Sequence, residues 1–142
     1  MNAKASTSTI LLVDDDPAIL MTVGDSLMGE GYTVIKAVSG VEALDRLSLF
    51  KVDLIVLDIS MPDLGGLGFL RKTSLRADFN DIPVLIFTAR SNLKELFESV
   101  GTAGFVPKNG APDLLTSTIK NILNERETTW SNLYPHPVTL TS

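Results

Sequence analysis

The chemistry available to this chain rests on Asp14, Asp15, Asp58, Thr88 and Lys108. Asp14 and Asp15 follow the apolar run Ile10-Leu-Leu-Val13, and Asp58 follows Leu54-Ile-Val-Leu57. Thr88 closes the apolar run Ile82 to Phe87, and Lys108 comes just after Gly104-Phe-Val106. Short, wholly apolar runs of this kind suit strands of a parallel sheet covered on both faces. In an open parallel sheet, ligands gather beyond the carboxyl ends of the strands, where the winding reverses. The first and third strands would flank that point, so the three carboxylates should converge. Two unit charges about 4 Å apart repel by roughly 4 kcal/mol at an effective dielectric of about 20. Such a cluster requires a cation. Oxygen ligands and an open, hydrated position favour Mg²⁺ (or Mn²⁺) over Zn²⁺. Carboxylates, a cation, a hydroxyl and an ammonium together suit phosphoryl transfer, which needs positioning and neutralisation of oxygen charge.

Each residue also has a plainer role open to it. An Asp after a strand is often a helix cap or turn residue, and Asp16, beside Pro17, reads that way. Asp63 reads as a loop residue. Thr88 alone would be a strand-end hydroxyl, and Lys108 alone a solvated charge. His136, the sole histidine, sits near the end of the chain and is assigned no chemistry. What the plainer readings do not predict is that five such residues fall at one sheet edge.

The elements that must position them alternate strand and helix. The spacing predicts β1 over Ile10–Val13, then α1 from Pro17 to a stop at Gly31, and β2 over Tyr32–Val38. Ser39-Gly-Val-Glu42 is a capping box opening α2, which runs through Leu47. Next come β3 (Leu54–Leu57), α3 (Leu67–Leu75, with Gly65, Gly66 and Gly68 about its start) and β4 (Ile82–Phe87). The series closes with α4 (Leu93–Val100), β5 (Gly104–Val106) and α5 (Pro112–Arg126). Residues 1–8 are expected to be disordered, 9–127 to form the domain, and 128–142, with Pro135 and Pro137, to be a tail or linker.

A length of 142 residues, 44% hydrophobic and 20% charged, fits one ordinary globular domain. The absence of cysteine excludes disulfides, thiolate nucleophiles and Cys-based metal sites. A net charge of −5 disfavours nucleic acid as a partner. No apolar run approaches the roughly 18 residues of a membrane span, and Met1–Thr9 lacks a signal-peptide core. The expectation is a soluble, cytoplasmic protein.

At this point the chain resembles the receiver domain of bacterial two-component response regulators. The matching segments are Leu11-Leu-Val-Asp-Asp-Asp-Pro17, Asp53-Leu-Ile-Val-Leu-Asp-Ile-Ser-Met-Pro-Asp63, Pro83-Val-Leu-Ile-Phe-Thr-Ala89 and Gly104-Phe-Val-Pro-Lys108. The resemblance spans about residues 9 to 126. It implies a doubly wound five-stranded parallel sheet of order 2-1-3-4-5, flavodoxin-like, flanked by five helices. It implies that Asp58 is the phosphoacceptor. Asp15 would be the direct Mg²⁺ ligand, Asp14 would hold the metal mainly through water, and the Ser60 backbone carbonyl would be a further ligand. Thr88 and Lys108 would hold phosphoryl oxygens, and Phe105 would take the place of the aromatic switch residue. The donor would be a phosphohistidine on a histidine kinase or phosphotransfer protein, or a small phosphodonor. The output would be a downstream protein or a homodimer, through the face of α4, β5 and α5. Such a chain is no enzyme beyond its own phosphorylation and dephosphorylation.

The chain departs from the family's pattern in places. Gly65 stands where many relatives have a polar residue, and the stretch from Thr88 to Gly104 is short. Phe105, often Tyr in relatives, offers no hydroxyl. Asn109 follows Lys108 in place of the usual Pro, which leaves the Lys108–Asn109 peptide open between cis and a rebuilt trans turn. Two rivals stand beside this reading. One is a pseudo-receiver that binds proteins without phosphorylation. The other is a phosphatase with an Asp-x-Asp nucleophile motif, which Asp14 and Asp16 match only superficially. No G-x-G-x-x-G and no phosphate loop after β1 support a dinucleotide or flavin site.

Overall fold

The computed structural model describes residues 7–59, 65–79, 81–89 and 102–133. Its strands are β1 (Thr9–Val13), β2 (Thr33–Ala37), β3 (Leu54–Leu57), β4 (Val84–Thr88) and β5 (Gly104–Pro107). They form one parallel sheet in the order β2-β1-β3-β4-β5. The expected fold class and strand order therefore hold. The reversal of winding falls between β1 and β3, where Val13 lies opposite Leu57.

Alternation along the strands divides the core in two. Leu11, Val13, Ile55, Leu57 and Ile86 pack on one face, with Ala43 and Leu47 of α2 and Phe69 of α3. Ile10, Leu12, Leu54, Val56, Leu85 and Phe87 pack on the other, with Leu20 and Leu27 of α1 and Ile119 and Ile122 of α5. Successive strand residues point to opposite faces, so a strand apolar throughout needs helices on both sides. This is why the middles of the central strands, Ile10–Val13, Leu54–Leu57 and Val84–Phe87, carry no polar residue.

Among the described residues there are four helices rather than the five expected: α1 (Pro17–Gly29), α2 (Gly40–Leu49), α3 (Gly65–Ser74) and α5 (Leu114–Leu133). The stretch expected to form α4, Leu93–Val100, lies outside the described residues. Asp16 caps α1 as expected, its carboxylate accepting from Ala18 N at 2.9 Å. Gly31, at φ 99°, turns the chain out of α1 in a conformation open to glycine, with Tyr32 N returning to Leu27 O at 3.2 Å. The capping box is present in a shifted form. Ser39 Oγ accepts from Glu42 N at 3.1 Å, while Glu42 reaches back to Val38 N at 2.9 Å.

Three helices differ from expectation in where they begin or end. α2 continues to Leu49, since nothing after Leu47 breaks it until Phe50 turns extended. α3 begins at Gly65 in spite of its glycines. α5 begins two positions late, because Pro112 and Asp113 form the turn that leads into it, and it runs to Leu133 instead of ending at Arg126. Glu127 to Leu133 contains neither Pro nor Gly, so the backbone has no reason to stop there. Residues 128–133, expected as part of a tail or linker, are thus helical, and Pro135, His136 and Pro137 lie outside the described residues. No helix among the described residues is long and apolar enough to cross a membrane.

Candidate functional site

The carboxyl edge of the sheet gathers the residues that sequence singled out. Asp14, Asp58 and Lys108 each sit one step past a strand, held by a ladder bond that continues beyond the sheet. Asp14 N donates to Ala37 O at 3.1 Å, Asp58 N to Val13 O at 3.0 Å, and Lys108 N to Thr88 O at 2.8 Å. The backbone at all three positions is thereby fixed by the same hydrogen bonding that makes the sheet.

A carboxylate oxygen of each of Asp14, Asp15 and Asp58 lies within 4.8 Å of the others. Asp14 and Asp58 are buried, while Asp15 is exposed. Lys108 enters from the end of β5. Its Nζ lies 2.5 Å from Asp14 Oδ2 and 3.4 Å from Asp58 Oδ2. It also stands over the ring of Phe87, 5.9 Å from the centroid. Three carboxylates against one ammonium leave an excess of two negative charges in a largely buried space. An all-oxygen donor set with that excess fits a divalent hard cation.

The electrostatics show the strain of the arrangement. Burial pushes the Asp14 carboxyl above the usual carboxylate range. Hydrogen bonds from Lys108 and Asp16 oppose the rise, and the charge of Asp58 adds to it. Burial pulls the Lys108 ammonium down, but the hydrogen bond and charge of Asp14, with those of Asp58, outweigh it and hold the group above its ordinary value.

The remaining expected positions are less fully placed. Thr88 is buried at the end of β4 and pairs in register with Pro107. Phe105, opposite Ile86, packs partly buried on the α2–α3 side. Ser60 lies outside the described residues. The Lys108–Asn109 peptide is trans. The loop closes by a turn in which Gly110 N donates to Pro107 O at 3.2 Å, with Gly110 at ordinary negative φ. Without the usual Pro, no peptide isomer is needed to aim Lys108 at the carboxylates.

One feature of the site went unforeseen. Asp14 Oδ1 accepts from Asp16 N at 3.0 Å, a local turn bond that the run Asp14-Asp15-Asp16 could have signalled. Nothing in the sequence signals that Lys108 lies closer to Asp14 than to Asp58.

Comparison with known proteins shows the family and the fold. The family model described as "Response regulator receiver domain" matches residues 10–120. The response regulator MprA of Mycobacterium avium (strain 104) is 36% identical over 141 residues, covering 92% of this chain and 61% of that protein. MprA of Mycobacterium bovis (strain BCG / Pasteur 1173P2) is 38% identical over 116 residues, covering 80% of this chain and 50% of that protein. The chain thus spans only about half to three-fifths of the curated relatives it matches. Among solved structures, the chemotaxis response regulator CheY4 of Vibrio cholerae aligns with TM-score 0.76 at 28% identity, covering 82% of this chain and 99% of that one. The response regulator TrrA of Thermotoga maritima, solved in complex with Mg²⁺-BeF, aligns with TM-score 0.75 at 30% identity over the same shares.

Proposed function

The chain belongs to the response regulator receiver domain family, and from that premise we propose that it accepts a phosphoryl group on Asp58 with Mg²⁺ (or Mn²⁺) as cofactor. The observation that carries the reading is the convergence of Asp14, Asp15 and Asp58 within 4.8 Å, with the Lys108 ammonium among them. Asp14, Asp15, Asp58 and the Ser60 carbonyl would hold the cation. When bound, it offsets the charge of the carboxylates and of the incoming phosphoryl oxygens.

A carboxylate oxygen of Asp58 forms the new bond to phosphorus while the donor's own bond to phosphorus breaks. The electron pair leaves with the donor, the imidazole nitrogen of a phosphohistidine or the oxygen of a small acyl phosphate. Asp58 is pinned at its backbone to Val13, so the nucleophile is positioned before the donor arrives. Lys108 takes up phosphoryl oxygen charge, and the Thr88 hydroxyl donates to a remaining phosphoryl oxygen. Water later hydrolyses the acyl phosphate. Thr88 and Phe105 pass the change to the face of β5 and α5, toward a protein target or a second copy. The donor protein is a histidine kinase or histidine phosphotransfer protein. An apolar cavity of about 250 Å³ beside Lys108, lined by Ile19, Val23, Phe87 and Leu115, offers it a foothold next to the site.

Incubation with acetyl phosphate and Mg²⁺, followed by intact-mass measurement, tests the reading. The wild-type chain should gain one phosphoryl group. The gain should vanish in Asp58→Asn and in the presence of EDTA. A wild-type chain that never gains mass, or an Asp58→Asn chain that still does, overturns the assignment. The first result would favour a phosphorylation-independent binding module.

A further inference from the structure

We infer that Glu42 and Arg46 of α2 guard the outer edge of β2 against pairing with a second copy of this chain. The inference is independent of the proposed phosphoryl chemistry and concerns the end of the sheet away from β5. β2 is an edge strand, and among the described residues it pairs with β1 alone. Its ladder with β1 uses alternate residues: Thr33 N donates to Ser8 O at 3.0 Å, and Ala37 O accepts from Asp14 N at 3.1 Å. Val34, Lys36 and the following Val38 therefore turn their backbone groups outward. Such a row is a template for strand addition. The segment Thr33-Val-Ile-Lys-Ala-Val38 is rich in β-branched residues, and Val38 and the nearby Val41 are exposed. Two copies meeting edge to edge about a twofold axis would run antiparallel and join their sheets into one.

Two side chains of α2 occupy that row. Arg46 Nε donates to Lys36 O at 3.3 Å, and Glu42 Oε1 accepts from Val38 N at 2.9 Å. These are an acceptor and a donor that an added strand would need. The two side chains also hold each other in place. Arg46 Nη2 lies 3.6 Å from Glu42 Oε2, and Arg46 Nη1 lies 3.2 Å from Asp45 Oδ2. On the other flank of the edge, the Lys36 side chain lies along α1 at Gly24 and sets an ammonium there. An exposed ion pair one helical turn apart adds little to the stability of the fold. Its consequence falls at the edge. A second copy must displace Arg46 and Glu42 and strip water from their charges before its own strand can pair.

Light scattering on the full chain after size exclusion, in EDTA and without a phosphodonor, reads the association. The double variant Glu42→Ala/Arg46→Ala should remain folded by circular dichroism. It should associate at about tenfold lower concentration than wild type, since each released backbone group is met twice across a twofold axis. Hydrogen exchange at the Val34 and Lys36 amides should slow as the variant associates. Val34→Pro removes an outward N–H and no bond to β1, so adding it to the double variant should reverse the association. Should the double variant not fold, Arg46→Ala alone leaves the Ser39 and Glu42 bonds at the start of α2 in place and should show the same shift in smaller measure. A folded variant that associates no more readily than wild type overturns the guard role. Association that Val34→Pro leaves intact puts the contact on another surface and overturns it too.

Discussion

Arg126 reaches from α5 across the far edge of the sheet and donates from Nη1 to the backbone carbonyl of Asp53 at 2.6 Å. Asp53 in turn fastens the start of β1, its carboxylate accepting from Thr9 N at 2.7 Å and its own N–H donating to Thr9 O at 2.8 Å. The last helix and the first strand are thus joined through one residue at the edge opposite the site.

Removing these contacts should cost unequal amounts. Asp53→Ala takes the acceptor from a partly buried N–H and should lower stability by about 1–2 kcal/mol. Arg126→Ala loses an exposed bond and should cost about 0.5–1 kcal/mol. Urea unfolding of the two variants measures both, and an unchanged midpoint for Asp53→Ala would show that β1 does not depend on this clasp.

Two glycines make a sharper contrast. A Cβ at Gly24 would meet Lys36 Cε at 2.8 Å, the far end of an exposed and flexible side chain that can move away. One at Gly104 would meet Leu85 Cδ1 at 2.9 Å, and Leu85 is fully buried with Ile122 behind the same position. Gly24→Ala should therefore be neutral or stabilising by up to about 1 kcal/mol, as Ala replaces Gly in a helix. Gly104→Ala should destabilise by about 1–3 kcal/mol through overpacking. The same sign for both in thermal melts would contradict the packing described for β5 against α5.

What could be read from sequence follows from where the physics is local. The wholly apolar runs before Asp14, Asp58 and Thr88 announced a sheet buried on both faces, and strand ends placed the site residues. Gly31 and Asp16 declared the ends of α1 because their conformations are set within a turn. The end of α5 at Leu133 is not legible, because no local signal marks it and the polar composition past Arg126 gives no apolar periodicity. The choice of Lys108 between Asp14 and Asp58 depends on side chains from three strands, and no spacing along the chain encodes it.

Alkaline stability should depend on Tyr32. Burial raises its phenol above 10.0, with the Glu30 charge adding to the rise and Lys120 opposing it. A raised acid favours its protonated form in the folded state, so its stabilising contribution is present below 10.0 and lost as pH rises through the folded value. Lys108 and Lys120 are raised above 10.5 and lose their contributions in the same direction. Tyr32→Phe, which cannot ionise, should flatten the decline without abolishing it. Urea midpoints compared at neutral and strongly alkaline pH report this, and equal losses in variant and wild type would remove Tyr32 from the account.

The last expectation concerns Asp58 as a burden on the fold. Its carboxylate is 4% exposed and lies beside Asp14, which is 1% exposed and held above its usual range partly by the Asp58 charge. Lys108 stays closer to Asp14 and would keep that partner if Asp58 lost its charge. Asp58→Asn preserves shape and hydrogen-bonding capacity while removing one of the three like charges. In EDTA the variant should therefore be more stable than wild type, by about 1 kcal/mol, the sign expected where function rather than stability selects a residue. Saturating Mg²⁺ should reverse the order, since wild type gains by mass action what the variant has lost the ligand to gain. Paired urea titrations with EDTA and with Mg²⁺ read both halves. If Asp58→Asn is less stable than wild type in EDTA, the bonds that Asp58 makes in the resting chain outweigh its repulsion by Asp14. Asp58 would then count among the residues that hold the fold together.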